Sequence, residues 1–209
     1  MEVKLISKTD NAEEIIAYCA RVSSSKQTSK DWIGLINYCI NHGHWSVFEM
    51  ASMCVEIKTS RAIAAQILRH KSFSFQEFSQ RYAGVTEFET VQLREQAIRN
   101  RQSSTTVHPD NSLKTKVMQH QEESYKLYEE LLNSGVAREC ARMVLPLSVG
   151  TRIYMYGNLR SWIHYINLRS QADTQLEHRQ IAIAIKEIFC EAFPNIADAV
   201  WGEGEELRE

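Results

Sequence analysis

"MASMCVEIKTSRAIAAQILRH", residues 50–70, changes its period halfway along. Met53, Val55 and Ile57 alternate with Cys54, Glu56 and Lys58, the two-residue repeat of a strand with one buried face. Beyond Ser60, an acceptable helix cap, Ile63, Ile67 and Leu68 follow among good helix formers. A strand that runs straight into a helix predicts a mixed architecture.

Upstream, "TDNAEEIIAYCARVSSS" opens on Asp10 or Asn11 as a cap, carries acidic residues in its first turn, and sets Ile15, Ile16 and Cys19 at helical spacing, ending near Arg21. A second helix is predicted over 31–41, with Trp32, Leu35, Ile36 and Cys39 on one face and Gly43 as its stop; "GHWSVFEM" then connects it to the strand. Downstream, residues 83–111 are polar and read as a long excursion with patchy structure. A helix is predicted from Ser112 to Ser134, stopped by Gly135, and "ARECARMV" adds a turn or two before Pro146.

"LSVGTRIYMYGN" is rich in β-branched and aromatic residues and reads as a second strand. In "NLRSWIHYINLR", Leu159, Trp162, Ile163 and Ile166 fall at i, i+3, i+4 and i+7, and Ile181, Ile185, Ile188, Phe189 and Ala192 give the next helix its stripe. There is no internal repeat, and the acidic tail "GEGEELRE" reads as a solvated end. The expectation is one α+β domain over residues 1–209, mainly helical, with a modest antiparallel sheet.

With 44% hydrophobic and 24% charged residues, the 209-residue chain has the composition of a globular domain. A net charge of −2 argues against a broad nucleic-acid surface but allows a local basic pocket. Cys19, Cys39, Cys54, Cys140 and Cys190 are odd in number and contain no CxxC pair, which argues against a disulfide framework and for a reducing, cytoplasmic setting. The start, "MEVKLISKTDNAEE", has no apolar run, and no later stretch is long enough to span a bilayer, so neither secretion nor a membrane is expected.

Polar chemistry gathers in three places. "RHKSFSFQEFSQRY", residues 69–82, sets Arg69, His70, Lys71 and Arg81 around three phenylalanines, and Gln66 can share a helical face with Arg69 and His70. With residues 77–81 extended, Glu77, Ser79 and Arg81 project to one side, an arrangement suited to a polar, anionic ligand. On the later helix, Arg160 and His164 are four apart and Arg169 lies at the far end.

Each cluster also has a plain reading. Cations in a last turn complement the helix dipole, Glu77 and Arg81 could form a surface ion pair, and arginines beside an apolar stripe commonly snorkel. His42, His44 and Glu49 have no HExxH spacing, so no metal is assigned. GxSxG, Cys–His, GxGxxG and P-loop signatures are all missing, so a nucleotide or flavin would be bound outside those folds. A phosphate- or RNA-binding module and a helical interaction protein remain the competing classes.

Taken together, the clusters resemble the flavin-dependent thymidylate synthase family, whose signature is Arg-His-Arg, seven residues, then Ser. Here it reads Arg69-His70-Lys71, seven residues, Ser79. The likeness continues through "ARVSSS", "NHGHWSVFE", "SGVARECARMVLPL", "NLRSW" and "NLRSQADTQLE", and so covers most of the chain. Lys71 departs from the family's usual Arg, keeping the charge and losing the planar fork.

The resemblance implies reductive methylation of dUMP to dTMP. Methylenetetrahydrofolate would donate the carbon, FAD reduced by NADPH would supply the reducing equivalents, and tetrahydrofolate would leave. By position, Ser23, Ser46, Asn158, Arg160 and His164 resemble flavin contacts, as do Arg69, His70, Lys71 and Glu77. Gln66, Arg69, Glu77 and Ser79 resemble dUMP contacts, together with Arg81, Arg142 and Arg169. Arg169 and Ser79 would sit at the reacting centre, Arg169 polarising the pyrimidine and Ser79 positioning the nucleotide rather than attacking it. The resemblance also implies a homotetramer with active sites shared between subunits, binding dUMP and folate and neither nucleic acid nor membrane.

Overall fold

Two nine-residue strands, Ser52–Ser60 and Gly150–Asn158, pair antiparallel along their whole length at the centre of the computed structural model, which describes residues 1–84 and 87–202. Their alternation makes the core: Met53, Val55, Ile57, Ile153 and Met155 are all 0% exposed, so one face of the ladder is sealed. In chain order the elements are β1 (Glu2–Lys8), α1 (Ala12–Ala20), α2 (Ile33–Asn41), a 3-10 turn (Trp45–Met50), β2 (Ser52–Ser60), α3 (Arg61–Ile67) and β3 (Ser74–Glu77). A hairpin of β4 (Arg94–Gln96) and β5 (Ser104–Val107) leads to α4 (Asn111–Asn133), α5 (Arg138–Ala141) and a 3-10 turn (Arg142–Val144). The chain closes with β6 (Gly150–Asn158), α6 (Leu159–Arg169), α7 (Leu176–Ala192) and α8 (Pro194–Trp201).

The main sheet is four-stranded and antiparallel in the order β1-β2-β6-β3, as the expectation of a small antiparallel sheet in an α+β fold required. Helices α6, α7 and α8 cover its apolar face with Trp162, Ile163, Ile166, Ile181, Ile185, Phe189 and Ile196. Trp162 is fully buried and donates its indole N–H to the Met53 carbonyl at 3.0 Å, so the largest core side chain is satisfied on the central strand.

Several expectations shift. β1 was not anticipated, because it is an edge strand held by its ladder to β2 while Leu5 and Ile6 stay 41% and 50% exposed. "GHWSVFEM" is a 3-10 turn rather than an open connection. Asn11 occupies the cap position of α1 with a left-handed φ of 48°, but its side chain makes no capping bond. Extended backbone over 77–81, the condition for Glu77, Ser79 and Arg81 to share one side, is not met: β3 stops at Glu77, and Tyr82 and Ala83 both donate to the Ser79 carbonyl and close a turn. The excursion over 83–111 contains the β4–β5 hairpin. The acidic tail lies, beyond Gly202, outside the described residues.

Gly157 on β6 marks a close approach that decides where the next segment lies. A Cβ there would stand 2.5 Å from Cδ1 of Phe73, whose ring packs edge-on against Trp162 at 4.7 Å and Tyr165 at 5.7 Å. Gly157→Ala should therefore cost about 1–3 kcal/mol by overpacking, read as a lower denaturation midpoint. An unchanged midpoint would mean that Phe73 has somewhere else to go.

Candidate active site

The α3 helix ends at Ile67, and two tighter turns follow: Arg69 N–H bonds to Gln66 O, and His70 N–H to Ile67 O. The expected single face for Gln66, Arg69 and His70 is therefore only partly formed. Arg69 points to solvent, whereas His70 turns inward against Tyr165, with ring centroids 4.9 Å apart. Arg169, in the last turn of α6, donates Nε–H to His70 Nε2 at 3.0 Å.

That contact makes His70 an acceptor. Burial, then Arg169 and Arg69, push its pKa down to about 4, so the ring is neutral at pH 7 and carries its proton on Nδ1. It is not one of the cations of the signature. Among the described residues the two Nη groups of Arg169 make no hydrogen bond, so its fork remains available to a ligand.

Gln66 faces α7 instead. Its Oε1 meets His178 Nδ1 at 3.3 Å and its Nε2 donates to Gln175 Oε1 at 2.6 Å. His178 is 0% exposed and its Nε2 lies 3.0 Å from the Tyr165 hydroxyl. Burial is also the main reason that its pKa falls to about 4, with Arg169 and His70 adding to it.

At the end of β3, Glu77 does not pair with Arg81. Its Oε1 lies 3.2 Å from Arg61 Nη1 and accepts from the Thr151 hydroxyl at 2.9 Å. Past the turn, Arg81 forms an exposed ion pair with Glu139 at 3.0 Å, and Arg142 donates Nε–H to the Glu139 carbonyl at 3.4 Å. Glu139 thus gathers Arg81 and Arg142 beside Ser79, whose hydroxyl accepts from Arg81 N–H at 3.4 Å.

The remaining residues lie at the other end of the ladder. Asn158 caps α6, accepting from Ser161 N–H at 2.8 Å, and Arg160 reaches Glu49 at 2.5 Å. His164 packs on Trp45, next to Ser46 in the 3-10 turn, with centroids 5.3 Å apart. A cleft of about 340 Å³ opens here between Glu49, Ser72, Ser74, Tyr156 and Asn158. Asn158 is five residues along β6 from Ile153, the partner of Glu77, or about 17 Å. Ser23, exposed in the loop after α1, joins none of these groups. His42 stacks on Tyr38 at 4.0 Å rather than approaching Glu49.

A family model described as "Thymidylate synthase complementing protein" matches residues 4–195. The chain belongs to this family. It is 49% identical over 214 residues to the flavin-dependent thymidylate synthase of Synechocystis, covering 96% of this chain and 99% of that one. It is 50% identical, with the same coverage, to the probable flavin-dependent thymidylate synthase of Paramecium bursaria Chlorella virus 1. Among solved structures it resembles a UMP/dUMP methylase, PolB from Streptomyces cacaoi, bound with 5-Br dUMP, at TM-score 0.81 and 26% identity over 95% of this chain and 93% of that one.

Within this family member, sequence reasoning overlooked His178, Tyr165 and the Arg61–Glu77–Thr151 cluster. His178 had left a trace: it falls on the stripe of α7 three, four and seven residues before the buried Ile181, Ala182 and Ile185, a polar residue where an apolar one is expected.

The two neutral histidines set a pH window. Above pH 6.5, their ordinary value, their contribution to stability is fully present. As pH falls toward about 4 the unfolded chain takes up protons that the folded chain refuses, so that stability is lost. The denaturation midpoint should drop across this window and drop less in His178→Asn. An equally steep drop in that variant would remove His178 from the cause.

Proposed function

We propose that this family member is an FAD-dependent thymidylate synthase that converts dUMP to dTMP, with methylenetetrahydrofolate as carbon donor and NADPH as reductant. Family membership across nearly the whole chain supports the reaction. The observation that carries the reading to the site is the Arg169–His70 contact. A neutral ring takes Nε and fixes the guanidinium, leaving its charged fork for a pyrimidine carbonyl. A cation held there favours the ionised or polarised uracil and makes C5 more nucleophilic.

The donor set fits an anionic, planar cofactor. Arg69 and Lys71 are exposed and, among the described residues, make no side-chain ion pair, and Arg160 pairs with Glu49, which lines the cleft with Tyr156, Ser72 and Ser74. These residues would hold the flavin, with Ser46 and His164 alongside; Asn158 would contribute Nδ2, since Oδ1 is occupied by its cap. When bound, reduced FAD supplies the hydride. Arg81 and Arg142 would neutralise the nucleotide phosphate, Ser79 would position it, and Gln66 and Oε2 of Glu77, which has no partner among the described residues, would orient the substrate. Burial pushes the thiols of Cys39, Cys54 and Cys190 up, away from the thiolate, which supports a route without a cysteine nucleophile.

A homotetramer with shared sites accounts for three features of the single chain. Its site residues fall into separated groups, and the cleft is at the small end of the range for ligand pockets, too small to enclose a dinucleotide. Tyr82, Met143 and Leu147, around the Arg81–Arg142 group, are 85%, 78% and 70% exposed. The five free cysteines support a reducing cytoplasm, and among the described residues no helix is long and apolar enough to cross a membrane.

Arg160→Ala should weaken FAD retention after desalting more than dUMP binding. Arg169→Ala should lower dUMP affinity about tenfold to a hundredfold, the worth of a charge-assisted contact, with FAD content kept. The reaction itself should need an external reductant and give dTMP and tetrahydrofolate in equal amounts by anaerobic chromatography. Stoichiometric dihydrofolate would overturn the proposal.

A further inference from the structure

Glu177 anchors a chain of hydrogen bonds that ends at Tyr165. Arg94, on β4, donates to both its oxygens, at 2.6 and 2.9 Å, and Gln175 Nε2 donates to Oε2 at 3.0 Å. Burial raises the Glu177 pKa, but Arg94 and Gln175 outweigh it and hold the carboxyl below its usual range, so it is ionised and can only accept. Every later bond then has one permitted direction. Gln175 gives its N–H2 to Glu177 and must offer Oε1 to Gln66 Nε2. Gln66 must offer Oε1 to His178 Nδ1, and His178, its proton on Nδ1, must accept the Tyr165 hydroxyl at Nε2.

We infer that Glu177 and His178 are positioning residues that lock the amide orientation of Gln66, so that its carboxamide meets the nucleotide base in one orientation rather than two. This rests on the reading of Gln66 as a substrate contact. An unconstrained carboxamide could rotate by a half turn and present donor or acceptor with similar ease. A base that shows both carbonyl and N–H groups would match only one of these. The relay also ties the β4–β5 hairpin, through Arg94, to the floor of the site. Neither Glu177 nor His178 needs to touch the substrate for this.

Two measurements on FAD-loaded protein test it. Imidazole nitrogen-15 spectra at neutral pH, with the His178 signal identified by its loss in His178→Asn, should show Nδ1 protonated and Nε2 bare. In Glu177→Gln, where the anchor can itself turn round, a mixture of tautomers should appear. An Nε2-protonated or doubly protonated ring in the wild type, or an unmoved signal in Glu177→Gln, would overturn the relay. In parallel, dUMP affinity should fall about tenfold in His178→Leu, the worth of one hydrogen bond. His178→Asn, which keeps a donor near the Nδ1 position, should stay within about threefold of wild type. Equal losses in the two variants, or none in His178→Leu, would make His178 a packing residue and sink the inference. Wild-type protein that held flavin but no dUMP would instead sink the substrate assignment, and the spectrum would still decide the relay.

Discussion

The nine-pair register between β2 and β6 is the constraint from which the site follows. Each strand runs directly into a helix and supplies its cap: Ser60 accepts from Ile63 N–H, and Asn158 accepts from Ser161 N–H. Because the strands are antiparallel, these junctions lie at opposite ends of the ladder, about 27 Å apart at 3.4 Å per residue. Seven residues of α3 and eleven of α6 rise about 10 and 16 Å, together nearly that span. The helices fold back over the sheet and their C-termini meet, which is why His70 finds Arg169 across 99 residues of sequence. Two helix C-termini carry partial negative charge, and Arg69 and Arg169, which both act on His70, lie where that charge favours them.

Much of this scaffold was legible because it is written in local rules. The α4 helix was read to within a residue from its pattern and its glycine stop, the first strand-to-helix junction from a change of period, and the second from β-branched and aromatic residues giving way to a helical stripe. β1 escaped because an edge strand is stabilised by backbone pairing, which leaves no alternation in its exposed side chains. The condition of extended backbone over 77–81 is unmet for a related reason. Alternating polar side chains cannot distinguish a strand from a turn when the deciding bonds belong to the backbone, here Tyr82 and Ala83 to Ser79.

The site was legible as an inventory of residue types but not as a set of partners. Glu77 and Arg81 are close in sequence and pair elsewhere, with Arg61 and with Glu139, because the turn between them sends the two side chains to different neighbours. Arg160 and Arg169 share a helix but lie at its two ends, one bonded to Glu49 and the other to His70. The family likeness proposed these residues by order and spacing, while their hydrogen-bond partners required the fold.

The two neutral histidines explain how the candidate site keeps its positive charge concentrated. A proton on His70 would set a second cation 3.0 Å from the Arg169 nitrogen, in a place where burial weakens the screening by water. Staying neutral, His70 accepts from Arg169 and His178 accepts from Tyr165, so each ring lends a lone pair inward and adds no charge. The cationic groups are then the arginines and Lys71. A ligand that brings phosphate and an ionisable pyrimidine would then meet charge carried by arginine and lysine rather than by a histidine ring. Had His70 carried the charge instead, the field would have faded as pH rose through its pKa, just where uracil ionisation becomes easier. Keeping the rings neutral and the charge on the arginines and Lys71 removes that conflict.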